Sequence, residues 1–187
     1  KKMLMNVAKK EGYELDGGSA ELLAILADGS FRDGLGVLQK VLNFTKSKKI
    51  ERVEVEAITG APKTTLVNDF ISAIAENNIE KGIGAVKVAS ESNLDIKLYF
   101  KLVVQKFRMA IILRYAPKLK NEMAGDLSET DLQFLQDLVV KDKDGMLRSP
   151  ALAILLDAYQ NMDNAFIPEL PLELALVKIL SKDSKNA

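Results

Sequence analysis

Apolar residues recur along this chain at spacings of three and four, which is the pattern of helices with one buried face. The pattern predicts an all-α chain. The predicted helices cover 3–11, 30–46, about thirteen residues marked by Leu66 to Ile74, 79–89, 95–115, 132–140, 152–162 and 171–180. A further helix ends at Ala27, and either Asp16 or Ser19 is its candidate N-cap. Val53 to Ile58 alternates like a short strand, but it stands without a second strand in a helical chain, so we predict one or two helical turns ending at Gly60.

The stretch from Gly29 to Leu35 predicts a well-capped helix start with an unusual arginine. Ser30 is a good N-cap, and Asp33 three residues later resembles a capping box with Asp in place of Glu or Gln. Arg32 then lies in the first turn, where a cation opposes the helix dipole by about 0.3–1 kcal/mol. That position suits an arginine that shares a bound anion with the helix N-terminus. It also fits a solvated arginine partly neutralised by Asp33, and both interpretations stay open at this point.

Composition narrows the possible chemistry. The chain has 187 residues, 48% of them hydrophobic, with 26 basic and 26 acidic side chains and a net charge of zero. This balance argues against broad nonspecific binding to nucleic acid or membranes, although it allows a local basic patch. Cysteine and histidine are both absent, which excludes disulfides, thiolate metal sites and mechanisms that need Cys or His.

The sequence also carries expectations about location and completeness. The absence of cysteine fits a cytoplasmic protein, and we find neither a signal-peptide pattern nor an apolar run long enough for a membrane span. Because the sequence begins at Lys1 without a preceding methionine, we expect a fragment of a longer protein.

None of the motifs that usually mark a catalytic or ligand site is complete. No phosphate loop occurs, and Gly82-Ile83-Gly84 lacks the third glycine and the preceding strand of a dinucleotide site. Asp142-Lys143-Asp144-Gly145 resembles the start of a calcium loop, but Ala153 stands where the bidentate glutamate is needed, so we reject calcium. We therefore expect no catalytic residues and no metal site.

The 95–115 helix is apolar around most of its circumference, so we expect neighbouring helices or a partner subunit to bury it. Its remaining face carries Lys97, Lys101, Gln105 and Arg108. These side chains could meet a phosphate backbone or an acidic partner, but such a stripe is more often a solvated face.

The chain divides best at its polar and basic link, Thr45 to Lys49. The three predicted helices before this link are too short to bury much area alone, so that module needs packing partners. Taken by themselves, the residues predict a two-part, all-helical interaction protein with one unusual arginine.

Four segments resemble bacterial DNA polymerase III gamma/tau subunits, the motor subunits of the clamp loader. Leu26 to Lys40 is similar to the family's G-S-x-R-D-A-L-S-x-L-D-Q run, and Ile167 to Leu176 is similar to its P-x-L-P-L-E-L-A-L signature. Ala8 to Asp16 and Ile58 to Gly60 resemble the openings of the family's lid and collar domains. The resemblance spans nearly the whole chain.

The resemblance implies that residues 1–46 are the lid of an AAA+ ATPase and residues 50–187 the helical-bundle collar that assembles the ring. Arg32 matches the family's sensor-2 arginine, which reaches the phosphates of ATP from the lid. ATP would then require the missing N-terminal core domain, and we expect none in the isolated fragment. The resembled full-length protein is an ATPase subunit of a DNA-directed DNA polymerase holoenzyme, a nucleotidyltransferase.

The partners implied are other clamp-loader subunits through the collar, and the sliding clamp and primed DNA through the full complex, with no membrane. Two alternatives remain open: a non-hydrolysing subunit of a related ring, and a helical adaptor without a nucleotide role. The sequence departs from the family at Gly34 and Gly36, where relatives usually carry Ala and Ser. Each glycine in a helix costs about 0.5–1 kcal/mol relative to alanine, which raises the question of how stiff this helix is.

Overall fold

The computed structural model describes residues 1–120, 123 and 127–181. Over these residues it is built of ten α-helices and almost no sheet, so the all-α prediction is confirmed. The helices are α1 (Lys2–Lys10), α2 (Gly17–Leu26), α3 (Phe31–Phe44), α4 (Arg52–Thr59), α5 (Thr64–Ala75), α6 (Ile79–Glu91), α7 (Ile96–Tyr115), α8 (Glu129–Lys141), α9 (Ser149–Gln160) and α10 (Leu170–Leu180). None of these helices combines the length and apolarity that crossing a membrane requires. The sequence also predicts a polar tail from Ser181 to Ala187, of which residues 182–187 lie outside the described residues.

Side-chain caps set where several helices begin, because they satisfy backbone N–H groups that have no partner inside the helix. The Ser19 N–H donates to Asp16 Oδ1 at 2.6 Å, so Asp16 rather than Ser19 caps α2. Asp95 accepts from the Leu98 N–H at 2.9 Å at the start of α7. The predicted helical turns around Val55 are present as α4, which ends at Gly60 with a φ of +76°.

Two strands of two residues each were not predicted. β1 (Glu14–Leu15) and β2 (Lys49–Ile50) pair in parallel, with Leu15 opposite Ile50. The Ser19 hydroxyl donates a buried hydrogen bond to the Ile50 carbonyl at 3.0 Å, which ties this pairing to α2. Strands this short carry no detectable alternation of polar and apolar residues.

The chain folds as two compact units, each with its own core. Unit 1 comprises residues 1–61 and the described part of 120–133. Helices α1 to α4 pack together in this unit, and their shared core includes side chains with almost no exposure: Leu22, Leu23, Leu38, Val41, Ile50 and Val55. Because α4 packs on α2 and α3, unit 1 extends past the predicted lid end at residue 46. The assignment of 1–46 as a lid and 50–187 as a collar concerns function and stays a prediction.

Unit 2 comprises residues 62–119 and the described part of 134–187. Its packing centres on α5, α6, α7, α9 and α10. The core contains four fully buried aromatic rings, Phe70, Tyr99, Phe100 and Phe107. Phe100 also meets Tyr159 edge to face, with 5.7 Å between the ring centroids. Within this unit, neighbouring helices bury most of α7, as its nearly continuous apolar pattern predicted.

Candidate functional site

The start of α3 is shaped by a tight turn and a side-chain cap. Asp28 and Gly29 both adopt left-handed backbone conformations, with φ of +46° and +82°, and this turn ends α2. Ser30 follows in an extended conformation, and its hydroxyl accepts a hydrogen bond from the Asp33 N–H at 3.2 Å. The predicted N-cap is therefore present, and the first three residues of α3 are exposed.

Arg32 lies in this first turn with its side chain exposed. Among the described residues it forms neither a hydrogen bond nor an ion pair, so Asp33 does not neutralise it by direct contact. Over the same residues, the backbone N–H groups of Phe31 and Arg32 have no acceptor. The N-terminus of α3 therefore presents two backbone N–H donors beside an exposed arginine, none of which has a partner among the described residues.

A surface pocket of about 180 Å³ lies against the same turn. Its walls come from the first three helices and the turn between α2 and α3, and they include Leu4, Ala24, Ala27, Ser30 and Phe31. Phe31, which lines this pocket, is 70% exposed.

This arrangement suits a ligand that combines an anionic group with an apolar part. Helix N-termini favour anions because free N–H groups and the helix dipole both point toward them. Arg32 adds a planar set of donors that matches phosphate oxygens. Unit 1 brings together Arg32, two free N–H groups and an open pocket whose lining also includes Lys1.

The sequence did not predict that two cations, Arg52 and Lys106, are buried. Arg52, on α4, lies within ion-pair distance of three carboxylates of unit 1: Glu56 at 3.1 Å, Glu21 at 3.7 Å and Asp131 at 3.8 Å. Lys106, in the middle of α7, donates to Thr64 Oγ1 at 2.9 Å and Asn68 Oδ1 at 2.8 Å. The four-residue spacing of Arg52 and Glu56 was a visible signal for a helical ion pair. Lys106 had no such signal.

One residue of the predicted cationic stripe on α7 already forms an ion pair within the chain. Lys97 pairs with Asp163 at 2.6 Å, while Arg108 at the far end of the stripe is exposed. An intramolecular carboxylate thus occupies one end of the predicted cationic stripe, which favours its interpretation as a solvated surface.

The Asp142 turn is held by protein groups. The Asp142 carboxylate accepts hydrogen bonds from the N–H groups of Met146 and Leu147, at 2.7 and 2.9 Å, and pairs with Arg114. These contacts explain its burial. Within the described ranges no cluster of three or more potential metal-ligating side chains occurs.

The surroundings of Tyr99, which is buried in unit 2, indicate a structural role for this side chain. The Tyr99 hydroxyl donates to the Leu66 carbonyl at 3.1 Å. Burial, with a smaller contribution from the charge of Asp69, raises the pKa of Tyr99 well above its ordinary value. Tyr99 is therefore a neutral hydrogen-bond donor at physiological pH, and the candidate site remains the surface around Arg32.

The fold is similar to that of a known clamp-loader protein. The DNA clamp loader delta protein of Bacillus subtilis superposes over 96% of this chain with a TM-score of 0.53, at 18% sequence identity. The match covers 55% of that protein's chain. At this level of identity the likeness concerns the fold.

In sequence, the chain is similar to gamma/tau subunits of DNA polymerase III. The gamma/tau subunit of DNA polymerase III from Mycobacterium bovis is 21% identical over 185 residues, which is 99% of this chain and 32% of that protein. The gamma/tau subunit from Mycoplasma genitalium is 27% identical over 126 residues, or 67% of this chain and 21% of that protein. No family model matches the chain. The resemblance to gamma/tau subunits is confirmed over nearly the whole chain, which spans about a third or less of those relatives.

Proposed function

We propose that this chain is the lid and collar portion of a clamp-loader motor subunit of the DNA polymerase III gamma/tau type. The similarity to gamma/tau subunits over almost the entire chain supports a clamp-loader role. In this proposal the chain acts in the cytoplasm as part of a longer ATPase. The observation that carries its nucleotide role is the exposed Arg32 beside the free N–H groups at the start of α3.

The proposed role of Arg32 is to contact the phosphates of ATP bound between this lid and the preceding core domain. An arginine without an intramolecular partner can turn toward an incoming anion without breaking an existing ion pair. The dipole of α3 and its free donors would add to the same attraction. The orientation of the lid would then depend on whether phosphates are present.

Residues 50–187 would act as the collar that joins this subunit to other clamp-loader subunits. Through that assembly, nucleotide-dependent movement of the lid would reach the sliding clamp and primed DNA. The broad apolar core of unit 2 supports this role, because a rigid helical body can transmit movement without deforming.

The test compares Arg32→Ala with Lys40→Ala in the full-length protein assembled with its partner subunits. Lys40 is a matched control, because it is an exposed cation on the same helix, two turns farther along. We expect Arg32→Ala to lower ATP-dependent clamp loading about tenfold or more, since a hydrogen bond to a charged group contributes about 1.5–3 kcal/mol. Complex assembly should remain intact, and Lys40→Ala should load clamps at the normal rate. Unchanged ATPase and loading rates in Arg32→Ala would overturn the sensor assignment.

A second candidate is a ring subunit of the same fold without a nucleotide-sensing role. The structural likeness to a clamp loader delta protein favours it. The two candidates differ in the sequence that precedes this chain: a phosphate loop there supports the motor subunit, and a core domain without that loop supports the second candidate.

A further inference from the structure

Unit 1 contains a segment that comes from far along the chain. Residues 127–133, which we call the strap, belong to unit 1, whereas residues 62–119 and the described residues from 134 onward belong to unit 2. The chain therefore passes from one unit to the other three times: after residue 61, after residue 119 and after residue 133. A single linker would leave unit 1 free to turn, but the two further connections restrain it while the strap stays in place.

The strap is held in unit 1 by buried groups. Leu127 is 5% exposed and Asp131 is 4% exposed. A Cβ atom at Gly18 of α2 would lie 3.4 Å from the Cβ of Ser128 and 3.6 Å from Asp131 Oδ2. The strap therefore lies directly against α2.

Charge also holds the strap. Asp131 Oδ2 lies 3.8 Å from Nη1 of Arg52, which is buried on α4. The same guanidinium donates a hydrogen bond from Nε to Glu56 at 3.1 Å and has Glu21 within 3.7 Å. Three carboxylates thus surround one cation, and two of them stand on α2 and α4 rather than on the strap.

The Arg52–Asp131 ion pair can separate without leaving either charge alone. Arg52 would keep Glu56 and Glu21. Asp131 would keep the hydroxyl of Ser128, which donates to Oδ2 at 3.0 Å and belongs to the strap itself. Breaking a buried ion pair is costly mainly because a charge is left buried without a partner. This contact therefore has the properties of one that opens and closes.

We propose that the strap is a releasable tie: it is attached to unit 1 while Asp131 lies beside Arg52, and it detaches when unit 1 turns. This inference rests on the proposed function, in which the orientation of the lid depends on bound nucleotide, and it adds the contact that regulates that movement. Helix α8 begins in the strap and continues in unit 2, so attachment of its first turn makes the two units move together. Detachment leaves the connection after residue 61 as a hinge.

The first experiment measures hydrogen exchange in the full-length protein assembled with its partner subunits, using mass spectrometry of peptides that span residues 127–133. Asp131→Asn keeps the size of the side chain but removes its charge, and we expect it to raise the exchange rate of the strap about tenfold. Glu129→Gln is the matched control, because Glu129 is an exposed carboxylate in the same turn of α8, and its replacement should leave exchange unchanged. Equal exchange in the two variants would overturn the role of the ion pair.

The same measurement tests whether the strap detaches during function. We expect the exchange rate of the strap to differ about tenfold or more between the ATP-bound and the nucleotide-free protein, because local opening exposes its amides to solvent. Peptides from the core of unit 2, such as those that contain Phe70 and Phe107, should exchange equally in both states. Strap exchange that does not depend on nucleotide would contradict the proposed release.

The second experiment locks the strap with a disulfide, using the absence of cysteine from this chain. The 3.4 Å between the Cβ positions of residues 18 and 128 is close to the roughly 3.5–4.5 Å found in disulfides. In the full assembly, we expect the oxidised Gly18→Cys/Ser128→Cys variant to load clamps about tenfold more slowly or worse, and a reductant to restore loading. The two single variants are controls and should load normally with and without reductant. Normal loading by the locked protein would show that release is not needed and would overturn the proposal.

Failure of this inference can be distinguished from failure of the proposed function. If Arg32→Ala impairs loading but the locked protein loads clamps normally, the releasable strap is wrong while the nucleotide role of Arg32 stands. If Arg32→Ala loads normally but locking the strap still stops loading, the strap stands and the sensor assignment is wrong.

Discussion

Gly34 packs so closely on Ala27 that a Cβ atom at position 34 would lie 3.1 Å from the Cβ of Ala27. The same atom would lie 3.5 Å from Leu4, so α3 approaches both α1 and the end of α2 at this glycine. A Cβ at Gly36, on the same helix, would meet nothing within 4 Å. The two glycines of α3 therefore differ: a side chain at Gly34 would crowd its neighbours, whereas one at Gly36 would meet no described atom.

The first prediction follows from this difference. Gly36→Ala should raise the free energy of unfolding by about 0.5–1 kcal/mol, because alanine restricts the unfolded chain and favours the helix. Gly34→Ala should show none of this gain, because the new methyl group presses on Ala27. Urea unfolding followed by circular dichroism measures both. Equal stabilisation by the two substitutions would show that the α3 contact relaxes without strain.

A second pair of glycines tests the packing of unit 2. A Cβ at Gly82, on α6, would overlap the buried side chain of Leu176, whereas one at Gly84 would meet nothing within 4 Å. We expect Gly82→Ala to destabilise unit 2 by about 1–3 kcal/mol, and Gly84→Ala to stabilise it by about 0.5–1 kcal/mol. Thermal and urea unfolding provide the comparison. A Gly82→Ala variant as stable as Gly84→Ala would mean that α6 and α10 pack loosely enough to accept the extra methyl group.

The third prediction concerns the cation buried in unit 1. Arg52→Ala should lower the free energy of unfolding by about 3–5 kcal/mol, because it leaves Glu21, Glu56 and Asp131 without the guanidinium they share. Arg32→Ala provides the control: an exposed arginine of the same unit should change stability by no more than about 0.5 kcal/mol. Urea unfolding of the two variants tests the contrast. A loss of less than about 1 kcal/mol in Arg52→Ala would contradict the structural role of this cation.

The fourth prediction links Tyr99 to stability at alkaline pH. Because folding raises the pKa of Tyr99, its contribution is fully present below the unfolded pKa of about 10 and is lost as pH rises toward the folded value. The free energy of unfolding should therefore fall between about pH 10 and 11.5. Tyr99→Phe should be about 1 kcal/mol less stable at pH 7, since it lacks the hydrogen bond to Leu66, and should show a smaller alkaline decline.

Tyr115→Phe is the control for this measurement, because the Tyr115 side chain is 65% exposed. Its alkaline decline should match that of the unmodified chain. An identical decline in Tyr99→Phe would assign the alkaline sensitivity to other groups.

The sequence alone was sufficient for most helix starts and for the position of the candidate arginine. Ser30, Asp95 and Gly60 act on backbone groups within a few residues of themselves, so their roles depend on local sequence. The place of Arg32 in the first turn of α3 could be predicted in the same way, from the cap that precedes it. The resemblance to gamma/tau subunits also rested on contiguous segments.

Only the tertiary structure decided which residues are buried and which remain free. Leu15 pairs with Ile50, and Arg52 meets Asp131, across long separations in the chain that no local pattern reports. Gly34 and Gly36 look alike in sequence, but only Gly34 is closely packed. Leu172 and Leu174 both fit an apolar helix, but Leu172 is buried and Leu174 is exposed. Hydrogen bonds near helix ends are local, and therefore the sequence determined them, whereas burial depends on which distant surfaces the folded chain brings together.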